Sequence, residues 1–248
     1  MQPAHKTLLL AGGTSDIGRE TALCYARAGW RVLLAARDVG EARRNADDIA
    51  ARTGTQVSVH RLDVLETDQL QAFLDALPTL PDTVVCVIGE LGDQTLAQRD
   101  FSHATRVLRT NFEGPSLLLS LLAERFLARG SGTIVGVSSV AGLRGRASNY
   151  VYGAAKAGFT AFLSGLRNRL APEAIHVLTV NPGFVRTRMT AGMKLPPILT
   201  AEPSEVGGAI FAAAEKAKKD VIYVRKIWWL IMQVIRSIPE RVFKRLKL

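Results

Sequence analysis

A chain of 248 residues is long enough to bury one sizeable hydrophobic core, which predicts a single domain. Its net charge is +10, but seven Lys and Arg residues against one Glu assign +6 of that charge to the segment 225–248. The rest of the chain carries only +4, which argues against the broad basic surface of a nucleic-acid-binding protein, so we expect no nucleic-acid partner.

The positions of the cysteines and histidines argue against a disulfide and against a metal site. Cys24 and Cys86 fall in separate apolar stretches without metal-ligand spacing, which predicts reduced, buried thiols in a cytoplasmic protein. The four histidines are scattered, so we expect no metal site. No apolar run approaches the ~20 residues of a membrane-spanning helix, and the first apolar run is too short for a secretory signal.

Short apolar runs typical of strands alternate with helix-length amphipathic segments. The predicted strands are 7–11, 31–36, 56–62, 83–88, 133–137, 176–180 and 221–224. The predicted helices lie near 17–28, 41–52, 67–76, 102–129, 150–170 and 204–218. This alternation predicts an α/β domain, a single-domain Rossmann-type doubly wound parallel sheet of about seven strands with helices on both faces. We assign 1–224 to this domain and 225–248 to a basic amphipathic extension of it.

A glycine-rich turn follows the first predicted strand. Glycines let the backbone turn tightly, and the free N–H groups at a helix start can bind a pyrophosphate. Many such turns are only tight connections, so the pattern alone is suggestive. The candidate cofactor-binding residues in this turn are Gly12, Thr14, Ser15, Asp16, Ile17 and Gly18.

The second predicted strand ends at Arg37, where NAD-binding sites usually place an acid that binds the ribose 2′-hydroxyl. A guanidinium matches a 2′-phosphate instead, because its planar fork forms paired hydrogen bonds with that anion. The residue favours NADP(H) over NAD(H). Asp38 offers Arg37 an alternative ion-pair partner, which would weaken this interpretation.

The carboxyl ends of later strands supply the rest of the predicted cofactor site. An acid and an amide after the third strand can meet an adenine ring, and a glycine after the fourth admits the cofactor to the backbone. A Pro-Gly pair ends the sixth strand and presents the following residues to the cofactor. These candidates are Asp63, Val64, Gly89, Pro182, Gly183, Val185 and Thr187.

Three residues carry the candidate chemistry. Tyr152 and Lys156 are four residues apart and share one face of a helix. A free phenol has a pKa near ~10, and an ammonium ~4 Å away favours its anion by on the order of 4 kcal/mol at an effective dielectric of ~20. We expect Lys156 to lower the pKa of Tyr152, which then protonates a carbonyl oxygen held by Ser139 during hydride transfer. The alternative for this weak pattern is an exposed helix face.

Together these residues resemble the short-chain dehydrogenase/reductase family, in order and spacing, from residue 7 to about 224. The resemblance implies an oxidoreductase that interconverts a ketone and a secondary alcohol, with Ser139, Tyr152 and Lys156 as catalytic residues. Asn111 matches the asparagine that completes this tetrad by holding a water beside the lysine. Tyr152 and Lys156 also belong to the implied cofactor site, with Lys156 on the ribose, and a homodimer or homotetramer is implied.

Two positions depart from the family's pattern. Asp16 replaces the usual middle glycine of the cofactor loop, and we expect its carboxylate to turn away from the phosphates or to cap the helix. The run Cys86-Val87-Ile88-Gly89 replaces the usual Asn-Asn-Ala-Gly. The hydrogen bonds that brace the central strand must therefore come from other residues.

The stretches 12–18, 91–93, 185–189 and 235–239 resemble one subgroup of the family, which contains the reductase of decaprenylphosphoryl-2-keto-pentose. This likeness implies NADPH-dependent reduction of a keto-sugar on a polyprenyl phosphate. Two alternatives stay open: a reductase of 3-oxoacyl thioesters on an acidic carrier protein, and a non-catalytic nucleotide-binding protein at the membrane surface.

The extension 226–248 has the pattern of a basic amphipathic helix. Tryptophans beside basic residues favour peripheral contact with a membrane, here the inner face of the cytoplasmic membrane. The alternative is packing across the active site or a subunit interface, although Trp228 and Trp229 cannot both face one core. The apolar residues that can share one face are Trp228, Ile231, Val234, Ile235 and Ile238.

Overall fold

Seven parallel strands form the central sheet of the computed structural model, which describes residues 5–246. The strand order reverses between β1 (Thr7–Ala11) and β4 (Thr83–Cys86), and ligands of such sheets bind in the crevice at the carboxyl ends of the strands near this point. The predicted doubly wound α/β fold is confirmed. In spatial order the strands are β3 (Val57–Arg61), β2 (Arg31–Ala36), β1 (Thr7–Ala11), β4 (Thr83–Cys86), β5 (Gly132–Val137), β6 (Ile175–Pro182) and β9 (Val221–Val224).

Alternating side chains of the central strand divide the core into two layers. Leu9 lies in register with Leu33 of β2 and Val84 of β4, and the three pack in one layer. Leu8 and Leu10 pack in the other. Successive strand residues point to opposite faces, so a run that is apolar throughout requires helices on both sides of the sheet.

Helices cover both faces. The first layer packs against α3 (Leu70–Asp75), α6 (Gly114–Arg129) and α7 (Tyr150–Leu170), and the second against α1 (Asp16–Arg27), α2 (Val39–Thr53) and α8 (Pro203–Phe211). Side chains cap the first turns of α1 and α2, which begin just beyond the carboxyl ends of β1 and β2. Ser15 accepts a hydrogen bond from the N–H of Gly18 at the start of α1, and Asp38 accepts one from the N–H of Glu41 at the start of α2.

The structure divides the predicted helix 102–129 into parts. It consists of α5 (Phe101–Leu108), a π-turn (Arg109–Glu113) and α6. A second π-turn (Ala212–Lys216) follows α8. Three short elements were not predicted, because elements of two to four residues carry too little periodic pattern to be recognised. They are α4 (Gln94–Ala97), β7 (Phe184–Val185) and β8 (Thr200–Ala201), the last two paired with each other.

The C-terminal extension forms α9 (Ile227–Ser237) and α10 (Glu240–Phe243). Trp228 and Met232 are buried and pack with Val140, which follows β5. The prediction that Val234 shares this face is wrong, because Val234 is 60% exposed and follows Ile227 and Leu230 on the opposite side. Within residues 5–246, no helix combines the length and apolarity that crossing a bilayer requires.

Both cysteines are free thiols. Cys86 is buried in β4, as predicted, whereas Cys24 in α1 is only partly buried. In the described part of the chain, no cluster of His, Cys, Asp and Glu side chains has an arrangement that could hold a metal ion.

Candidate active site

Two adjoining cavities open at the carboxyl ends of the strands. The larger has a volume of about 530 Å³ and runs along the glycine turn and the end of β2. The smaller has a volume of about 150 Å³ and is lined by Ser139, Tyr152 and Lys156. Gly89 and Thr187 line both, so one ligand can extend from the larger cavity into the smaller.

The hydroxyl groups of Ser139 and Tyr152 meet in the smaller cavity. Ser139 follows the end of β5, and Tyr152 lies in the first turn of α7. The two side chains interact, since Ser139 lowers the pKa of Tyr152 against the effect of burial. The Ser139 hydroxyl also accepts a hydrogen bond of 3.1 Å from the N–H of Ala141, which fixes its position. Two hydroxyl groups are thus held where they can bind one substrate oxygen.

Lys156 lies beneath this pair and is only 3% exposed. Its ammonium Nζ donates to the carbonyl oxygens of Val137 at 3.1 Å and Ile88 at 3.4 Å, and lies 5.9 Å from the centroid of the Tyr152 ring. Removal from water penalises a charged group, so burial lowers the pKa of Lys156 to about 8. The ammonium is held by two strand ends rather than by an acid.

The expectation that Lys156 lowers the pKa of Tyr152 is wrong for this structure. Burial raises the pKa of Tyr152 to about 12, and only the hydrogen bond with Ser139 acts in the opposite direction. The physical reason is the engagement of the Lys156 ammonium with main-chain carbonyls instead of the phenol. The raised pKa keeps the Tyr152 phenol protonated at neutral pH, so the side chain carries a proton but is a weaker acid than a free phenol.

Asn111 occupies the π-turn between α5 and α6 and is fully buried. Its amide Nδ2 donates to the carbonyl oxygens of Glu90 at 2.7 Å and Val107 at 2.8 Å, and its Oδ1 accepts from the N–H of Glu90 at 3.2 Å. These bonds brace the chain beyond β4, with a further bond from the N–H of Val87 to the carbonyl of Ala11. These hydrogen bonds take the place of those that asparagines at positions 86 and 87 would form in the family's pattern.

The glycines of the larger cavity leave no room for side chains. Gly12 has a φ of 102°, and a Cβ there would lie 2.9 Å from Val87. A Cβ on Gly18 would lie 2.6 Å from the carbonyl oxygen of Gly12, and one on Gly89 would lie 2.9 Å from Oδ1 of Asn111. With the start of α1 beside them, these residues fit a dinucleotide, whose pyrophosphate requires close approach to a glycine turn.

Arg37 extends into the larger cavity with its charge unused. It is exposed and makes no hydrogen bond or ion pair with other residues of 5–246. Asp38 does not pair with it, because the Asp38 carboxylate caps α2. Asp63 and Val64 line the same cavity, and Oδ1 of Asp63 accepts a hydrogen bond of 3.0 Å from the N–H of Leu65.

Asp16 turns out of the glycine turn toward the opposite wall. Its carboxylate accepts a hydrogen bond of 2.8 Å from the N–H of Arg188 and lies 3.4 Å from Nε of the same guanidinium. The guanidinium also donates to the carbonyl of Thr14 and to Glu41. The Asp16 carboxylate is thus bonded to Arg188 while it still lines the larger cavity, and Ser15 rather than Asp16 caps the helix. We name Asp16, Glu41 and Arg188 the clasp.

The C-terminal extension covers the smaller cavity. Pro182, Gly183, Val185 and Thr187 line this cavity as expected, and so does Trp228. A Cβ on Gly183 would lie 1.9 Å from the Trp228 indole, whose Nε1 donates to the carbonyl of Leu199 at 2.9 Å. The alternative that the extension packs across the site is therefore correct for Trp228. The sequence also left Arg146 and Asn149 unassigned, and both line this cavity.

A parallel sheet with a glycine turn at its switch point and two adjoining cavities defines a dinucleotide-binding protein of the Rossmann class. Comparison with known proteins narrows this class. Residues 6–196 match the family model described as short chain dehydrogenase. An uncharacterized oxidoreductase of Mycobacterium tuberculosis is 35% identical over 246 residues, covering 96% of each chain. The chain therefore belongs to the short-chain dehydrogenase/reductase family and is an oxidoreductase.

Two further proteins are similar over much of the chain. A 3-oxoacyl-[acyl-carrier-protein] reductase of Chlamydia muridarum is 31% identical over 193 residues, which are 76% of this chain and 77% of that protein. The structure of a short-chain dehydrogenase from Sphingobium yanoikuyae in complex with NADPH has a TM-score of 0.80 at 25% identity, covering 95% of this chain and 97% of that one.

Proposed function

We propose that the protein is an NADP(H)-dependent enzyme that interconverts a ketone and a secondary alcohol. The observation that carries this proposal is that Ser139, Tyr152 and the buried Lys156 line one cavity, which adjoins the cavity of the glycine turn. Bound NADPH supplies a hydride to the carbonyl carbon. The Ser139 hydroxyl holds the carbonyl oxygen, and the Tyr152 hydroxyl gives that oxygen its proton.

Two further residues support this proton transfer. The Lys156 ammonium, which donates to the carbonyls of Val137 and Ile88, holds these two strand ends together beneath Tyr152. A proton from solvent restores the phenol after each transfer. Asn111 holds the chain at Gly89, where the cofactor and catalytic cavities adjoin. We assign Lys156 and Asn111 these roles together with the ribose-binding and water-holding roles implied by the family resemblance.

The experiment is the oxidation of NADPH by the purified protein with a panel of ketones, followed by loss of absorbance. Ketone-dependent oxidation is expected. A protein that binds NADPH but oxidises it with no ketone would favour the alternative of a non-catalytic nucleotide-binding protein.

The free guanidinium of Arg37 supports a preference for NADP(H) over NAD(H). An Arg37→Ala variant should lower the ratio of kcat/KM for NADPH to that for NADH by about tenfold, since a charge-assisted hydrogen bond contributes about 1.5–3 kcal/mol. Arg43→Ala is the matched control, because Arg43 is exposed on α2 and does not line the cavity. An unchanged ratio in Arg37→Ala would contradict the preference.

The outer face of the extension supports contact with the inner surface of the cytoplasmic membrane. Trp229 is 52% exposed, Leu230 58% and Val234 60%, and the inner face of the same helix covers the catalytic cavity. An apolar face with a basic border suits an anionic leaflet, and it would bring the cavity to a lipid-linked keto-sugar. The exposed basic residues of the border are Lys226, Arg236, Arg241, Lys244 and Arg245.

Sedimentation with phosphatidylglycerol vesicles tests this contact. Leu230→Glu should weaken binding by about tenfold, because a leucine contributes about 1.5–3 kcal/mol when it leaves water. Leu96→Glu is the control, since Leu96 is exposed on α4, outside the extension. Failure of the wild-type protein to sediment with these vesicles at low salt would refute membrane contact.

A 3-oxoacyl thioester is the alternative substrate, favoured by the name of the Chlamydia muridarum relative. The basic extension offers a surface for an acidic carrier protein. Comparing NADPH oxidation with acetoacetyl thioesters and with keto-sugars decides between the two.

We further propose a homodimer or homotetramer formed through α5 and α6. Exposed apolar residues lie along these helices, with Phe101 80% exposed and Leu117 44% exposed. Light scattering of the wild-type protein and of Phe101→Ser tests this assembly, and a wild-type monomer would exclude it.

A further inference from the structure

The loop 144–149 joins the two catalytic segments of the smaller cavity. It begins after a short 3₁₀ helix (Val140–Leu143) that follows Ser139, and it ends at the start of α7, which carries Tyr152. Two polar side chains of this loop, those of Arg146 and Asn149, line the catalytic cavity. Neither has a part in the hydride and proton transfer described above.

The Arg146 guanidinium lies half-buried without an acidic partner. Its Nη2 faces only the Met232 thioether at 3.6 Å, its Nε is buried and has no hydrogen-bond partner, and it forms no ion pair within residues 5–246. A thioether is a weak acceptor. Burial also lowers the pKa of Arg146. A cation that has lost water without gaining an acceptor is destabilising unless a ligand completes it.

Arg144, in the same loop, has hydrogen-bond partners for its guanidinium. It donates to the carbonyl oxygens of Arg236 and Ile238 and to the Glu240 carboxylate, and it stacks on the Phe243 ring at 4.1 Å. Its role is to attach the C-terminal extension to the loop. The lack of comparable partners at Arg146, two residues later, is therefore local to the cavity wall.

Asn149 adds a second unused group. Its Oδ1 is buried and has no hydrogen-bond partner, and it does not cap α7. Among the described residues that line the cavity, none is acidic, and the only basic ones are Arg146 and Lys156. The cavity thus offers positive charge and a free acceptor beside the Ser139–Tyr152 pair.

We propose that Arg146 binds an anionic group of the substrate and that Asn149 accepts a hydrogen bond from a neighbouring substrate hydroxyl. The substrate is then a hydroxylated ketone that carries a phosphate or a carboxylate. A guanidinium binds either anion through paired hydrogen bonds. This inference rests on the proposed function and adds a substrate class to it.

Matched ketones test the inference. Dihydroxyacetone phosphate and dihydroxyacetone differ by the phosphate, and 4-oxopentanoate and its methyl ester differ by the carboxylate charge. The wild-type protein should prefer the charged member of at least one pair in kcat/KM, and the preferred pair identifies the anion. Arg146→Met should lower that preference by about tenfold, mainly through KM, since charge-assisted hydrogen bonds are lost. Arg146→Lys should restore part of it.

Arg99→Met is the control, because it removes the same charge from an exposed residue outside the cavity and should leave the preference unchanged. Equal losses for the charged and neutral ketones in Arg146→Met, or no preference in the wild-type protein, would overturn the inference. Thermal melting of each variant identifies any that has failed to fold, in which case Arg146→Lys alone decides.

Calorimetric titration of dihydroxyacetone phosphate and of 4-oxopentanoate into the protein saturated with NADP⁺ separates this inference from the proposed function. Binding that weakens in Arg146→Met supports the anion subsite even where no NADPH is oxidised. Turnover of neutral ketones without binding of either anion would retain the proposed function and refute the subsite.

Discussion

The two cavities at the carboxyl edge of the sheet are assembled in different ways. The walls of the larger one come mainly from turns that directly follow β1, β2, β3 and β4, each of which is a local feature of the chain. The smaller one combines Ser139, Tyr152, Gly183 and Trp228 from four separate segments. The difference teaches that the cofactor side is a set of strand-end motifs, whereas the substrate side depends on how distant segments close over the site.

Removal of the proposed proton donor, Tyr152, should give the largest effect. Tyr152→Phe is expected to lower ketone reduction by about 10²–10⁴-fold, which is the usual contribution of a positioned general acid. NADPH binding, followed by fluorescence, should persist because the larger cavity is unchanged.

Tyr150→Phe is the matched control, since Tyr150 is 45% exposed, begins α7 two residues before Tyr152 and does not line the smaller cavity. It should retain turnover. Normal turnover in Tyr152→Phe would remove the assigned proton donor.

The free energy of unfolding should distinguish the two adjacent tryptophans of the extension, Trp228 and Trp229. Trp228→Ala should destabilise the protein by about 3–5 kcal/mol, because it empties a packed site between the extension and Gly183. Trp229→Ala should change the free energy of unfolding by no more than about 0.5 kcal/mol, because the side chain is 52% exposed. Equal effects in chemical denaturation would show that the extension does not close the cavity.

The buried ammonium predicts a pH dependence. The pKa of Lys156 falls from 10.5 to about 8 on folding, so between these values the unfolded chain binds a proton that the folded protein has lost. Stability therefore rises with pH across this window, by about 3 kcal/mol relative to Lys156→Met, since each pKa unit corresponds to about 1.4 kcal/mol.

Denaturant unfolding of wild type and Lys156→Met at pH values below about 8 and near 10.5 measures this difference. Ketone reduction should decline above about pH 8, as Lys156 loses the charge that strengthens its bonds to the Val137 and Ile88 carbonyls beneath Tyr152. A stability difference that does not vary with pH would contradict the burial of a charged Lys156.

The clasp gives the smallest expected effect, and it lies on the cofactor side. Arg188→Gln removes the guanidinium contacts with Asp16, Thr14 and Glu41, all at solvent-accessible positions, and leaves the main-chain bond to Asp16 in place. Exposed ion pairs contribute about 0.2–1 kcal/mol, so the Kd for NADPH should rise by no more than about fivefold.

Arg186→Gln is its control, because Arg186 pairs with Glu202 outside the larger cavity. If the two variants bind NADPH equally well, the clasp does not contribute to cofactor binding.

Much of the lining of the larger cavity could be predicted, because each of its motifs spans only a few residues of sequence. The glycine turn, Arg37 and Asp63 each follow an apolar strand directly, and parallel strands place their carboxyl ends at one edge. The helix spacing of Tyr152 and Lys156 was equally local. The spacing did not reveal that Lys156 is buried and Tyr152 partly buried, and the loss of water around Tyr152 reverses the expected direction of its pKa.

The features that the sequence did not predict depend on contacts between residues far apart in the chain. Arg188 reaches Asp16 across 172 residues, and nothing near either residue indicates the partner. The same holds for Arg146, whose lack of partners becomes visible only when Met232 is placed beside it.

By itself, the sequence determined the strands, the helices that cover them and the edge at which the cofactor motifs meet, because hydrophobic period and glycine turns act over a few residues. Only the tertiary structure decided which face of α9 is buried, where the Lys156 ammonium is held and which polar groups are left without partners. Those outcomes depend on competition among distant side chains for the same space and the same hydrogen bonds.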